Sequence, residues 1–266
     1  MKQIDMIAID LDDTLLTDDI TVSERTIRAI GAARRKGCEV VIATGRMFST
    51  ARPYGRLLRL GDIPMMLYSG ALVQTVETGR ILFHDTIPQD KAAQLLQLAR
   101  QHGWMMQTYI DDVLRVPVHN HWVDEYERIT GTTALVAGDG FYEPQGAPSK
   151  ILAYGEKEEL DCMAAFIEQS LPGVFALMRS KDTFLEIIRS GIDKGTGLDH
   201  LCEYFNIPAK HVMAIGNSPN DRGMLERAGF SVAVGNAEAD IKSLADYVTA
   251  SNNDDGVAAV IERFVL

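Results

Sequence analysis

The most constraining feature of the chain is a repeated arrangement in which a short apolar run stops abruptly at polar residues able to do chemistry. Met6-Ile7-Ala8-Ile9 runs directly into Asp10-Leu11-Asp12-Asp13-Thr14. A continuous apolar run of that length reads as a parallel strand, buried on both faces, that delivers carboxylates to its C-terminal edge. A helix is predicted next: Thr21 and Glu24 have capping-box spacing, Ile27, Ile30 and Ala33 follow at helical intervals, and Gly37 marks a stop. A second run, Cys38 to Ala43, ends in Thr44-Gly45-Arg46 and completes a strand–helix–strand unit, for which a right-handed crossover is expected. A third run, His211 to Ile215, follows a helix expected from Lys194 to about Phe205 and ends in Gly216-Asn217-Ser218-Pro219-Asn220-Asp221.

Between these segments the pattern changes. Past a helix from Ala51 to Leu60, a strand from Met65 to Tyr68 and a hairpin from Val73 to Phe83 turning near Gly79, the chain reads as an α+β insert. Helices are expected from Asp90 to His102 and Glu158 to Ser170. Strands are expected at Met105–Ile110, Val113–Val118, Ile151–Tyr154, Val174–Met178 and Phe184–Ile188. The predicted architecture is an α/β, Rossmann-like parallel-sheet core in two parts, residues 1–84 and 189–266, interrupted by an α+β cap at residues 85–188. Within that cap Trp104, Tyr109, His119 and Trp122 read first as buried core and, secondarily, as pocket lining. Lys150 and Arg179 read as surface positions and, secondarily, as candidate substrate contacts. The polar stretch 249–256 reads as a surface loop.

A chain of 266 residues can bury a core without disulfides or structural metals. Its net charge of −11 argues against the broad basic surface of a nucleic-acid binder, yet leaves room for a locally cationic pocket that takes small anions. The three cysteines, Cys38, Cys162 and Cys202, lack metal-ligand spacing and read as buried free thiols. No apolar run reaches membrane-spanning length, and the amino terminus, Met1-Lys2-Gln3-Ile4-Asp5, meets an acid too early for a secretory signal. A soluble, cytoplasmic protein is expected, with its oligomeric state left open.

Ligands of open α/β sheets bind beyond the carboxyl ends of the strands. Three expected strand ends carry Asp10 with Asp12, Thr44 with Gly45, and Asn217 with Asn220 and Asp221, while Lys194 opens the helix before the last of them. Carboxylate and amide oxygens suit Mg²⁺, and a lysine with exposed backbone N–H groups suits a phosphoryl group. No serine or cysteine is coupled to a histidine in a recognisable motif, which leaves Asp10 well placed as a nucleophile. Taken singly, each feature has an innocent reading: Asp10 and Asp12 as capping acids, Thr44-Gly45 as a turn, Lys194 as a surface lysine and Asn217–Asp221 as a helix cap.

Together, Asp10-Leu11-Asp12-Asp13-Thr14-Leu15-Leu16, Thr44-Gly45-Arg46, Lys194-Gly195 and Gly216-Asn217 with Asn220-Asp221 resemble the four ordered motifs of the haloacid dehalogenase superfamily. The large mid-chain insert resembles the type IIB cap of its Cof-type phosphatases. The resemblance implies a Mg²⁺-dependent phosphatase of small phosphorylated metabolites, sugar phosphates first among them. It casts Asp10 as nucleophile and Asp12 as acid and base, and places the phosphate at Leu11, Thr44, Gly45, Lys194 and Asn220. The metal falls to Asp10, Asp12 and Asn217, with Asp221 supporting it, supporting Lys194, or itself a ligand. Arg46 and Ser69 are the candidate substrate contacts. Two departures stand out: Asn217 replaces the usual aspartate, and Ser69-Gly70-Ala71 replaces the usual Asn-Gly-Ala. The same residues also fit a phosphotransferase or mutase, or a weakly catalytic sugar-phosphate sensor.

Overall fold

The strand Met6–Ile9 is an inner strand of a five-stranded parallel sheet, in the order Tyr247–Val248, Phe230–Ala233, Val212–Gly216, Met6–Ile9, Glu39–Ile42. It comes from a computed structural model, which describes residues 3–266. Met1 and Lys2, at the amino terminus, lie outside the described residues. All four side chains of Met6–Ile9 are buried, as a strand covered on both faces requires. Register decides where the polar strand ends meet. Ile9 pairs with Ile215 on one side and Ile42 on the other, so three strands end at one edge. Asp10, Thr44 and Asn217 therefore emerge together.

A parallel bridge from Ala43 to Met66 continues this edge into a second sheet of Pro64–Leu67, Leu72–Thr75 and Ile81–His84. The helix Glu24–Arg35 packs against Gly256–Phe264, and Lys194–Phe205 packs against Arg222–Arg227. The N-cap of the first helix is not Thr21. Ser23 takes that place, its hydroxyl accepting from the N–H of Thr26, while Thr21 bonds back to Thr17. Four further elements lie outside the sequence expectations: the helix Ala239–Leu244 and the strands Leu135–Val136 and Tyr247–Val248 are too short to read from periodicity, whereas the helix His121–Thr130 does carry its apolar residues Trp122, Val123, Tyr126 and Ile129 at helical spacing.

The chain divides into two compact units: the chain up to Gly45 with Ala51–Phe83 and Asp193–Leu266, and Arg46–Thr50 with His84–Ile192. The second contains a six-stranded sheet ordered Phe175–Lys181, Phe184–Arg189, Lys150–Tyr154, Met105–Ile110, Val113–Val116, Leu135–Val136. The helices Gln89–His102 and Lys157–Ser170 bury Leu95, Leu96, Met163 and Ile167 against Met106, Ile151, Leu185 and Ile187. Alternation along the strands sends a different set to the opposite face. There Tyr154 donates to Gln107, Gln107 to Tyr109, and Tyr109 to Tyr126 of the helix His121–Thr130.

Lys150 corrects the surface reading: it is 2 % exposed, 3.4 Å from Glu186 and 5.0 Å from the ring centre of Tyr109. Tyr109 is buried as expected, but Trp104 and Trp122 are only partly covered and His119 is exposed. Of the cysteines only Cys38 is buried; Cys162 is exposed. Asn252, in the expected surface loop, is also buried. Among the described residues no helix is long and apolar enough to cross a membrane.

Replacing a hydroxyl N-cap by alanine costs about 1 kcal/mol, or ~2–4 °C in Tm for a chain of this size. Ser23→Ala is expected to lower Tm by that amount and Thr21→Ala by clearly less, measured by scanning fluorimetry.

Candidate active site

The site is built from four backbone turns at the shared strand edge. After Asp10, residues Leu11–Leu15 form a wide helical turn in which the N–H groups of Leu15 and Leu16 return to the carbonyls of Asp10 and Leu11. Asp13 adopts φ 56° within it, a conformation that aspartate tolerates better than most residues. The Asp13 carbonyl accepts from Asn236 at 2.7 Å and the Leu16 carbonyl from Asn252 at 3.0 Å. Thr14, almost fully buried, donates its hydroxyl to the side-chain oxygen of Asn217 at 3.1 Å. The first and last motifs are thus tied side chain to side chain.

The second turn carries Thr44, fully buried, whose N–H reaches the Met66 carbonyl and whose own carbonyl accepts from Ser69 at 3.0 Å. That contact belongs to the third turn, where Tyr68, Ser69 and Gly70 take φ values of 48°, 55° and 104°. Left-handed backbone at non-glycine residues persists only where its surroundings over-determine it. Here the reason is close approach: a Cβ on Gly70 would lie 2.0 Å from the Asp193 carbonyl oxygen. The turn therefore presses against the residue that caps the helix of Lys194. Asp193 accepts from the Thr196 N–H at 2.7 Å, and the Thr196 hydroxyl takes the N–H of Asp193 in return.

The fourth turn folds Asp221 back beneath its own strand. Its Oδ2 accepts from the N–H groups of Asn217 (2.9 Å) and Ser218 (3.1 Å). Gly216 permits this, since a Cβ there would meet the Asp221 carboxylate at 2.6 Å. Ser218 donates to Oδ1 of Asn220 at 2.6 Å, which leaves the amide N–H₂ of Asn220 as its available end.

Lys194 joins these turns. Its ammonium, fully buried, lies 2.6 Å from Oδ1 of Asp10 and 2.6 Å from Oδ1 of Asp221. Burial alone would lower its pKa, but the charges of Asp10 and Asp221 outweigh burial and raise it, so the lysine stays protonated. Asp10 is pushed the other way. Burial, then the charge of Asp221, lifts it from 3.8 to about 8, against the opposing pull of Lys194; Asp12 adds a smaller push.

Asp10, Asp12, Thr44, Lys194, Asn217, Asn220 and Asp221 all belong to the first unit, at or beside the shared strand edge. Ser69 is fully buried and holds its turn through its backbone; Arg46 is buried and groups with the second unit. Four residues with positioning roles carry no role that the sequence alone assigns. Thr14 and Ser218 stand inside motifs and were open to recognition by position, whereas Asn236 and Asn252 stand in none.

Three carboxylates, those of Asp10, Asp12 and Asp221, act on this space with one lysine opposing them. The residual negative charge and the oxygen-only donors fit a hard divalent cation. Among the described residues no three His, Cys, Asp or Glu side chains converge to cage an ion unaided. Mg²⁺ does not need such a cage, because it keeps waters and takes one or two carboxylates with substrate phosphate oxygens. Asn217 retains a lone pair for such a role beyond the one that Thr14 engages.

A family model described as haloacid dehalogenase-like hydrolase matches residues 7–261. A 5-amino-6-(5-phospho-D-ribitylamino)uracil phosphatase of Bacillus subtilis is 30 % identical over 266 residues, covering 97 % of each chain. A pyridoxal phosphate phosphatase of Escherichia coli is 29 % identical, covering 96 % of this chain and 97 % of its own. Among solved structures, a haloacid dehalogenase-like hydrolase from Bacteroides thetaiotaomicron superposes with a TM-score of 0.88 at 27 % identity, over 98 % of this chain and 99 % of that one.

The position of Asp10 predicts an unusual pH dependence in the metal-free protein. Its folded pKa of about 8 lies above the ordinary 3.8, so between those values the folded state holds a proton that the unfolded state has lost. Stability must fall as pH rises through that window. Asp10→Asn, which cannot ionise, is expected to match wild type near pH 4 and to exceed it by several degrees in Tm near pH 8, in the presence of a chelator. Parallel Tm profiles for the two proteins would show that Asp10 is not so perturbed.

Proposed function

On the footing that this chain belongs to the haloacid dehalogenase-like hydrolases, and is a hydrolase acting on phosphate esters, we propose that it hydrolyses monoesters of small metabolites through phosphorylation of Asp10. The observation that carries this reading is the Lys194 ammonium shared between Asp10 and Asp221 at 2.6 Å each. A carboxylate at a strand end, with one oxygen held by a buried cation and the other making no hydrogen bond among the described residues, is oriented for attack.

In the proposed sequence the free oxygen of Asp10 forms a bond to phosphorus as the ester P–O bond breaks. Asp12, in its acid form, gives the leaving oxygen its proton. Asp12 then takes a proton from water, whose oxygen attacks the aspartyl-phosphate, releasing inorganic phosphate and restoring Asp10. Thr44, Lys194, the N–H₂ of Asn220 and the backbone at Leu11 and Gly45 hold the phosphoryl oxygens. Asp10, the Asp12 carbonyl and Asn217 would hold Mg²⁺, which when bound would neutralise phosphate charge and favour the ionised form of Asp10. Asp221, both of whose oxygens are engaged, is assigned to Lys194 and the loop rather than to the metal.

The Bacillus and Escherichia relatives act on a phosphorylated ribitylamino-uracil and on pyridoxal phosphate. Small phosphorylated metabolites, with phosphorylated sugars and sugar alcohols as the leading class, are therefore the proposed substrates, and the residues of the insert at 85–188 the proposed selectors among them. A cytoplasmic location accords with such substrates.

A phosphatase screen over phosphorylated sugars, nucleotides and cofactors tests the proposal. Stoichiometric inorganic phosphate is expected, and transfer to an added acceptor sugar would instead favour a phosphotransferase. Asp10→Asn should abolish turnover of an aryl phosphate, and Asp12→Asn should reduce it by about 10²–10⁴-fold. Retained activity in Asp10→Asn would exclude the covalent route. Asn217→Asp is expected to lower the half-saturating Mg²⁺ concentration severalfold, because it adds a negative charge to the oxygen donors; an unchanged value would remove Asn217 from the metal site.

A further inference from the structure

The second unit contains a cavity of about 650 Å³ that its own residues line, none of which belongs to the proposed catalytic machinery. Two aromatic groups form its walls. On one side His102 stacks on Trp104 with ring centres 4.7 Å apart, and Phe166 meets both edge-on at 4.6 and 5.6 Å. On the other, Trp122 stacks with Tyr154 at 6.0 Å and an interplanar angle of 17°. Aromatic rings that only seal the end of a core are expected to be covered. Trp104 and Trp122 are only partly so, and Phe166 is 37 % exposed.

Apart from the imidazole of His102, the ionisable groups lining this cavity are acidic or thiol. Glu158 and Glu159 line it, and no lysine or arginine does. Glu159 is in part committed to its helix, accepting the N–H of Glu156 at 3.1 Å. Glu158 forms no hydrogen bond or ion pair among the described residues. A phosphate group finds no cation here, so the cavity is unsuited to the phosphorylated end of a substrate. Aromatic faces carry negative quadrupole charge and attract cations, and a nearby carboxylate reinforces that attraction where water is partly excluded.

We propose that this cavity binds an organic ammonium ion, with the Trp104–Phe166 and Trp122–Tyr154 walls enclosing the cationic head and Glu158 supplying its counter-charge. The site is larger than a trimethylammonium group alone, so the head is carried on a further apolar body that fills the remaining volume. The inference does not depend on the phosphatase reading.

The chain contains two tryptophans, Trp104 and Trp122, and both line the cavity, so intrinsic emission reports on this place and no other. The experiment titrates the intact protein with choline and, separately, with its neutral isostere 3,3-dimethylbutan-1-ol at constant ionic strength, following tryptophan emission. Choline is expected to give a saturable change, with a Kd roughly tenfold below that of the isostere. Glu158→Gln should raise the choline Kd about threefold or more and leave the isostere unaffected, whereas Phe166→Ala should weaken both. Both side chains lie at the surface, and unchanged far-UV circular dichroism would confirm that each variant is folded. Asp10→Asn should bind choline as wild type does. A non-saturating response to choline, equal affinity for the neutral isostere, or an undiminished choline affinity in the Glu158→Gln, Phe166→Ala double variant would overturn the proposal.

Discussion

The core of this protein is organised around one buried ammonium. Lys194 occupies the first turn of its helix, where the positive end of the helix dipole disfavours a cation, and it has no contact with solvent. Burial opposes the charge strongly and the dipole adds a smaller penalty. Two carboxylates at 2.6 Å hold it in place, and each is itself fixed by backbone. Asp10 is fixed by the inner strand Met6–Ile9, at whose end it stands. Asp221 is fixed by the amides of Asn217 and Ser218 and by the room that Gly216 leaves. The left-handed turn at Tyr68–Gly70 then closes on Asp193 and Thr44, so the helix end cannot retreat without breaking a third strand edge. Sequence-distant segments are in this way positioned around one nitrogen atom.

The arrangement is not electrically balanced, and that imbalance has chemical meaning. Burial first, and then the charge of Asp221 that the single lysine does not fully offset, leaves Asp10 reluctant to ionise, which is the wrong state for a nucleophile. A divalent cation would correct this and would also admit the dianionic phosphate, which the bare site would repel. Asn217 acts on the same balance. An amide in place of a carboxylate weakens the hold on a cation but removes one negative charge from the space the phosphate must enter. Its bond from Thr14 keeps the amide oxygen oriented without any charge to steer it.

Much of this was legible in the sequence because burial and chemistry alternate sharply along it. Apolar runs that stop at Asp10, Thr44 and Gly216 announce both the strands and the edge where they end. Register between distant strands then brings the motifs together, a consequence of parallel pairing rather than of any local signal. What the sequence hid was of two kinds. Some was local ambiguity: Thr21 and Ser23 both offer a hydroxyl near the helix start, and only the backbone path selects Ser23. The rest depended on partners far along the chain. Lys150 reads as solvated until Glu186 and Tyr109 are seen to cover it, and Asn236 and Asn252 read as loop polarity until they reach the carbonyls of Asp13 and Leu16.

The shared ammonium also restricts how such a protein can change over evolutionary time. Losing Asp221 alone would leave the buried cation with Asp10 as its one carboxylate partner, and losing Lys194 alone would leave two buried acids without their cation; removing one member of a buried pair is far costlier than removing the pair. Residues coupled this closely do not contribute additively, so the fitness effect of replacing one depends on the state of the others. A lineage drifting away from this chemistry would have to cross a valley or exchange the residues nearly together. The side chain of Asn217, tied to the cluster through the neutral hydroxyl of Thr14, is free to vary by single steps, since only its backbone N–H meets the Asp221 carboxylate. The position that varies here is one whose side chain the charge network leaves uncoupled.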